Sequence, residues 1–260
     1  MPFFDTHAHL DQQEFDADRT AVIERASQAG VQWILSVGID LASSRRAVRL
    51  AEEHAEIFAA VGIHPNSAAQ AEPSDWDQIV DLVNHPRVVA IGETGLDRYW
   101  DYTPVSLQQE YFDRHLCLSR ERNLPIVIHC RDAADDLMPK LRRAAALAPL
   151  KGILHAFSGD VRMAEECVEL GLHISFAGNI TYKNKKFEQL RSACGAVPLD
   201  RLLIETDSPY LTPEPLRGRE KRNEPALVVH TAQRLAELRG IALSDLEQQT
   251  AANAQCLFGL

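Results

Sequence analysis

Short apolar, β-branched runs recur along the chain, separated by stretches whose apolar residues fall at helical spacing. Runs at 3–7 (FFDTH), 33–38 (WILSVG), 57–63 (IFAAVGI), 88–93 (VVAIGE), 125–129 (PIVIH), 151–156 (KGILHA), 172–177 (LHISFA) and 202–207 (LLIETD) predict eight strands. Amphipathic stretches near 16–29, 41–54, 75–84, 107–123, 133–147, 161–170 and 185–194 predict the intervening helices, and two more, near 226–239 and 244–257, close the chain. Ser244 and Glu247 have capping-box spacing at the start of the last one. Strand–helix alternation over 260 residues predicts one α/β domain spanning 1–260, a (β/α)8 TIM barrel. A doubly wound open sheet is the rival, but neither GxGxxG nor GxxxxGK[ST] follows any run.

In a barrel every strand's C-terminal end converges on one mouth. His7 and His9 end the first run and, two apart on a strand, share a face. His64 follows the third, Glu93 ends the fourth, and His129 and His155 mark the fifth and sixth. Glu205 and Asp207 end the eighth. With His173, six of the ten histidines lie on or beside a predicted strand, while His54, His85, His115 and His230 fall in helices or loops. Singly, each has an ordinary structural reading: a bonded core histidine, an ion-pair partner, a turn-forming aspartate before Ser208-Pro209. Jointly, they bring buried carboxylates together in one mouth, which is costly unless a cation neutralises them.

Four histidines and two carboxylates exceed the three or four protein ligands of a mononuclear zinc site. They predict two divalent cations bridged by Glu93, one completed by His7, His9 and Asp207, the other by His129 and His155. Imidazole suits zinc, whereas carboxylates and phosphoryl chemistry suit Mg²⁺ or Mn²⁺, so the metal's identity stays open.

Composition narrows the setting. Hydrophobic residues at 45% and charged residues at 25% match a soluble globular enzyme. No apolar run is long enough to span a bilayer, and the start of the chain lacks a signal peptide's basic region. A cytoplasmic protein without a membrane partner is expected. Five scattered cysteines without a CxxC pair predict small buried hydrophobes in a reducing compartment, not a disulfide framework. A net charge of −10 disfavours broad coating of nucleic acid but not a grip on one phosphate or strand end through metals.

The segments DTHAHLD (5–11), VGIHP (61–65), AIGETGLD (90–97), PIVIHCRDA (125–133), LHAFSG (154–159), ISFAGNIT (174–181), IETDSPYL (204–211) and KRNEPA (221–226) run through the chain in order. The HxH pair, the later single histidines and the final aspartate resemble the amidohydrolase-like metal-dependent barrels. In detail the motifs resemble the TatD family of metal-dependent deoxyribonucleases and related hydrolases. Many amidohydrolase-like barrels bridge their metals with a carbamylated lysine on the fourth strand. This chain has no lysine before Lys140, which leaves Glu93. Family members commonly read P-x-RGK-x-NEP after the last strand. Here PLRGREKRNEP is about two residues longer, so that loop is expected to sit differently.

The resemblance implies phosphodiester hydrolysis, a nuclease trimming nucleic-acid strands from an end through two-metal activation of water. Asp207 would ligate one metal and orient or deprotonate the water. Glu205 would fix Asp207 or a histidine, or simply fill a polar barrel layer. Asp5 would hold a histidine tautomer, and His64 would contact substrate or protonate the leaving group. Basic clusters YKNKK (182–186) and LRGREKR (216–222) follow the last two strands, where barrels bind phosphate. Lys183, Arg219 and Arg222 are the phosphate candidates, assisted by Arg131 and Arg98, with Tyr99 and Trp100 as stacking surfaces. Local basic surface favours single-stranded or frayed ends over long duplex. Two alternatives stand beside this: a dinuclear amide, lactone or ester hydrolase, aminoacyl-tRNA esters included, and a binding scaffold whose metals are structural.

Overall fold

The apolar runs become strands because helices cover them from outside and neighbouring strands satisfy their backbones. In the computed structural model, which describes residues 2–220 and 222–260, eight parallel strands pair in chain order. They are β1 (Phe3–Ala8), β2 (Val31–Val37), β3 (Ile57–Val61), β4 (Val88–Asp97), β5 (Ile126–Arg131), β6 (Gly152–Leu154), β7 (Leu172–Phe176) and β8 (Leu202–Ile204). Between and after them run α1 (Arg19–Gln28), α2 (Leu41–Glu53), α3 (Asp75–Leu82), α4 (Val105–Arg122), α5 (Ala134–Ala145), α6 (Val161–Glu169), α7 (Glu188–Ala196), α8 (Val228–Arg239) and α9 (Leu243–Phe258). The TIM-type barrel expected from the alternation is the fold found.

The ring closes between the chain's two ends. Ala8 bridges Ser208 in parallel, His9 N donates to Ser208 O at 2.8 Å, and Asp207 N donates to His7 O at 2.8 Å. Asp5 belongs to this seam. Its carboxylate accepts from Thr206 N at 2.9 Å, Thr206 Oγ1 at 2.5 Å and the His7 amide at 3.3 Å. The expectation that Asp5 steers a histidine ring is therefore corrected, because its oxygens are taken by backbone and a hydroxyl.

Phe4, Leu35, Val37, Ala60, Ala90, Val127, Ile153 and Leu203 form one buried cluster drawn from most of the ring, and Leu257 and Phe258 of α9 pack against it. Drawing on strands all round the ring, it is the barrel's interior packing, a filled core rather than a pore. A larger cluster joins the strands to their helical coat.

Several boundaries shift. β4 runs four residues past Glu93, with a register shift against β5 between Ile91 and Thr94. β6 and β8 stop early, leaving His155 and Glu205–Asp207 just beyond them. The segment at 185–194 opens as a 3₁₀ turn, Lys185–Phe187, before α7. The capping box on Ser244 does not form: α9 is entered at Ala242, so Ser244 already lies inside the helix. Of the cysteines, Cys167 and Cys194 are buried, but Cys117 and Cys256 sit on outer helix faces and are exposed. No helix among the described residues is long and apolar enough to cross a membrane.

Candidate metal centre

β1 carries His7 in its last turn of pleat and hands His9 to the mouth one residue after its end. His9 Nδ1 donates to Val37 O at 2.9 Å, so the neutral ring keeps its lone pair on Nε2. That nitrogen faces His7 Nε2 at 3.2 Å, Glu93 Oε2 at 3.5 Å and Asp207 Oδ1 at 3.5 Å. His7 Nε2 lies 3.3 Å from Glu93 Oε2 and 3.7 Å from Asp207 Oδ1.

The other oxygen of Glu93 serves a second group. Oε1 lies 2.9 Å from His155 Nε2, 3.0 Å from His129 Nδ1 and 3.3 Å from His64 Nε2. A carboxylate stands behind each outward nitrogen. His129 Nε2 meets Asp97 Oδ2 at 3.0 Å, and His155 Nδ1 lies 3.4 Å from Glu205 Oε1, which also accepts from Ala156 N at 2.6 Å. His64 is different in kind. Its Nδ1 accepts from Asn66 N at 3.1 Å, so the neutral ring carries its proton on Nε2 and presents a donor rather than a lone pair.

Backbone packing sets this geometry. Gly95 has φ +140, and a Cβ there would lie 2.0 Å from His129 O, so only glycine lets β4 pass the His129 carbonyl. At Gly62 a Cβ would meet Gly92 Cα at 2.7 Å, one residue before Glu93.

The donor set fits a divalent cation. With Nδ1 of His9 and Nε2 of His129 spent as donors, both rings turn lone pairs toward carboxylate oxygens, an arrangement that asks for positive charge between them. The titration balance says the same. Burial alone would depress His9, but its bond to Asp207 and the Glu93 charge raise it to about 9. Burial works against ionised Glu93, yet His155, His64 and His7 hold it well below the usual carboxylate range. Three overlapping triads have ligand atoms within 4.8 Å of one another: His7–His9–Glu93, His7–His155–Asp207 and His64–Glu93–His129. By the Glu93 oxygen each faces, His7 and His9 fall on one side and His129 and His155 on the other, while His155 also shares a triad with His7 and Asp207.

Above the cluster opens a cavity of about 790 Å³, with His9, His64, Glu93, Asp97, His129, His155 and Asp207 in its lining. Its rim carries Arg131, Lys186, Arg217, Trp100, Tyr102 and Tyr210. The expected phosphate contacts divide. Arg131 lines the mouth, but Lys183 sits in a separate hollow with Arg191 and Glu214, and Arg219 is exposed outside the lining. Arg222 binds both oxygens of Asp18 at 2.6 Å and lies over the Phe15 ring, and Arg98 pairs with Asp136. Lys221 lies outside the described residues. Lys186 and Arg217, neighbours of the residues singled out in each cluster, reach the mouth instead. Asp97 was also missed. The AIGETGLD segment ends on it, but a strand expected to stop at Glu93 placed it in a loop.

Residues 4–259 match the family model described as TatD related DNase. An uncharacterized metal-dependent hydrolase of Bacillus subtilis, YabD, is 43% identical over 255 residues, 98% of each chain. The 3'-5' ssDNA/RNA exonuclease TatD of Klebsiella pneumoniae is 36% identical over 259 residues, covering 99% of this chain and 98% of its own. The crystal structure of YjjV, a TatD homologue from Escherichia coli K12, superposes with a TM-score of 0.92 at 32% identity, over 99% of this chain and 98% of that one.

Proposed function

Because the chain belongs to the TatD related DNase family of metal-dependent hydrolases, we propose that it hydrolyses phosphodiester bonds at the ends of single-stranded nucleic acid, using two divalent cations. The observation that carries this is Glu93, whose two oxygens face two different histidine groups at the floor of a mouth rimmed by cations. His7, His9, Glu93, His129, His155 and Asp207 would hold two such ions, which would supply Lewis-acid polarisation of the phosphoryl oxygens.

The side chains do the rest. Asp207, at the mouth with its side chain 14% exposed, accepts the proton of the attacking water. His64, its proton placed on Nε2 by the Asn66 amide, donates toward the leaving oxygen. Glu205 and Asp97 act as positioning residues through His155 and His129. Arg131, Lys186 and Arg217 hold flanking phosphates.

The test is an assay with Mg²⁺, Mn²⁺ and Zn²⁺ on 3'- and 5'-labelled single strands, beside amide and ester substrates, for wild type and Glu93→Ala. Mononucleotide release from one end is expected. Glu93→Ala should cost at least about a hundredfold in rate, the equivalent of ~3 kcal/mol of transition-state stabilisation. Equal activity in the two proteins, or cleavage of amides or esters alone, overturns the proposal.

A further inference from the structure

Aromatic rings on the loop after β4 have no part in the chemistry above. Trp100 and Tyr102 lie nearly parallel, 9° apart with centroids separated by 5.3 Å. Both line the mouth while remaining 41% and 55% exposed. Tyr99, the third ring, does not line it: the Arg131 guanidinium sits 3.9 Å over its face, and it stands edge-on to Trp100. An exposed pair of large rings costs hydration unless something covers it.

The loop is held rather than loose. Asp97 Oδ1 accepts from Tyr99 N at 2.9 Å and from Trp100 N at 3.0 Å, while Gln108 Nε2 bonds the carbonyls of Asp97 and Thr103. The other oxygen of that same Asp97 bonds His129. A single carboxylate therefore spaces the aromatic pair from the centre that would hold the reacting phosphate. The strand order sets the loops after β4 and β8 on opposite sides of the ring, and Arg217 of the second lines the same mouth as Trp100 of the first. Rings on one wall and a cation on the other match a nucleotide strand, which presents base faces to one side and phosphates to the other.

We propose that Trp100 and Tyr102 form the stacking platform for the unpaired nucleobase beside the scissile phosphate. This rests on the phosphodiesterase reading above. A ring face accepts any base, so the platform selects single strands over duplex without selecting sequence: a base inside a duplex already has both faces stacked.

The experiment compares a labelled oligonucleotide with the same strand lacking the base next to the cleaved bond, in the best of the three metals. Wild type should show a KM about tenfold higher on the abasic strand, as expected for losing one stacked base. Trp100→Ala/Tyr102→Ala should raise KM on the normal strand by a similar factor, more than it lowers kcat, and should no longer distinguish the two strands. Trp100→Phe should restore the distinction. Quenching of tryptophan emission on titrating oligonucleotide into metal-free protein, absent in Trp100→Phe, gives a readout independent of turnover. A wild-type KM indifferent to the missing base, or discrimination surviving the double substitution, overturns the platform and leaves the phosphodiesterase reading intact. Failure to cleave either strand with any of the metals ends both.

Discussion

Asp97 accepts a hydrogen bond from the outward nitrogen of His129 at 3.0 Å, so the neutral ring keeps its lone pair on the inner nitrogen, which faces Glu93. Burial works against its charge, but the His129 bond and the Trp100 amide bring it to about 2, so it is an anion throughout the neutral range. Asp97→Asn keeps an acceptor and loses the charge. Divalent-metal affinity should fall about tenfold, the low end of what such supporting contacts contribute. Calorimetric titration with Mn²⁺ and Zn²⁺ checks this, and an unchanged Kd would show that His129 needs no orienting.

Two of the cations at the mouth, Lys186 and Arg217, separate from those outside it. Lys186→Ala and Arg217→Ala should each weaken oligonucleotide binding and reduce the slope of log K against log[salt] by about 1. Lys183→Ala, in its own hollow, should leave the slope alone. Fluorescence anisotropy across a salt series decides, and an effect of Lys183→Ala equal to the others would place the phosphate path elsewhere.

His115 gives stability a defined pH dependence. Its Nδ1 donates to Tyr111 O at 2.6 Å, and its Nε2 accepts from Ile63 N at 3.0 Å, just before His64. Burial pushes it down to about 4 from 6.5. The unfolded ring takes a proton near 6.5, whereas the folded ring refuses it until about 4. Its contribution is therefore complete above pH 6.5 and is lost as the pH falls toward 4. Between pH 7 and 5 wild type should lose about 2 kcal/mol relative to His115→Gln, measured by urea unfolding at both values. Parallel pH dependences would contradict this.

Asn223 pins the loop after β8. Wholly buried, it donates to Thr206 O at 2.9 Å and Tyr210 O at 2.7 Å. Asn223→Ala strands both carbonyls and should cost about 2 kcal/mol, roughly 4–8 °C in Tm for a chain of this size. A thermal melt within a degree of wild type would mean that the loop is held by something else.

The barrel was legible because its signal is local: apolar runs at regular spacing need no partner to be seen. His7, His9, Glu93, His129, His155 and Asp207 were legible for the same reason, since each lies at or near a strand end and the fold brings those ends together. Asp97 was not. It depends on β4 continuing through its register shift, which no periodicity in 88–97 announces. The basic clusters were visible as charge but not as direction. Arg222 turns to Asp18, a partner 204 positions away in the sequence, while Arg217 faces the mouth.

The seam between β1 and β8 has a consequence for how the protein is made. His7 and His9 precede Asp207 by about two hundred residues, and they become neighbours only when the last strand docks against the first. Contacts of such separation form late, because the intervening chain must already be ordered. An ion gripped by His7, His9 and Asp207 would then act as a rivet across the final join. It would have no home in a half-built barrel and would strengthen the finished one by mass action, so apo and loaded protein should differ most in how readily this seam opens.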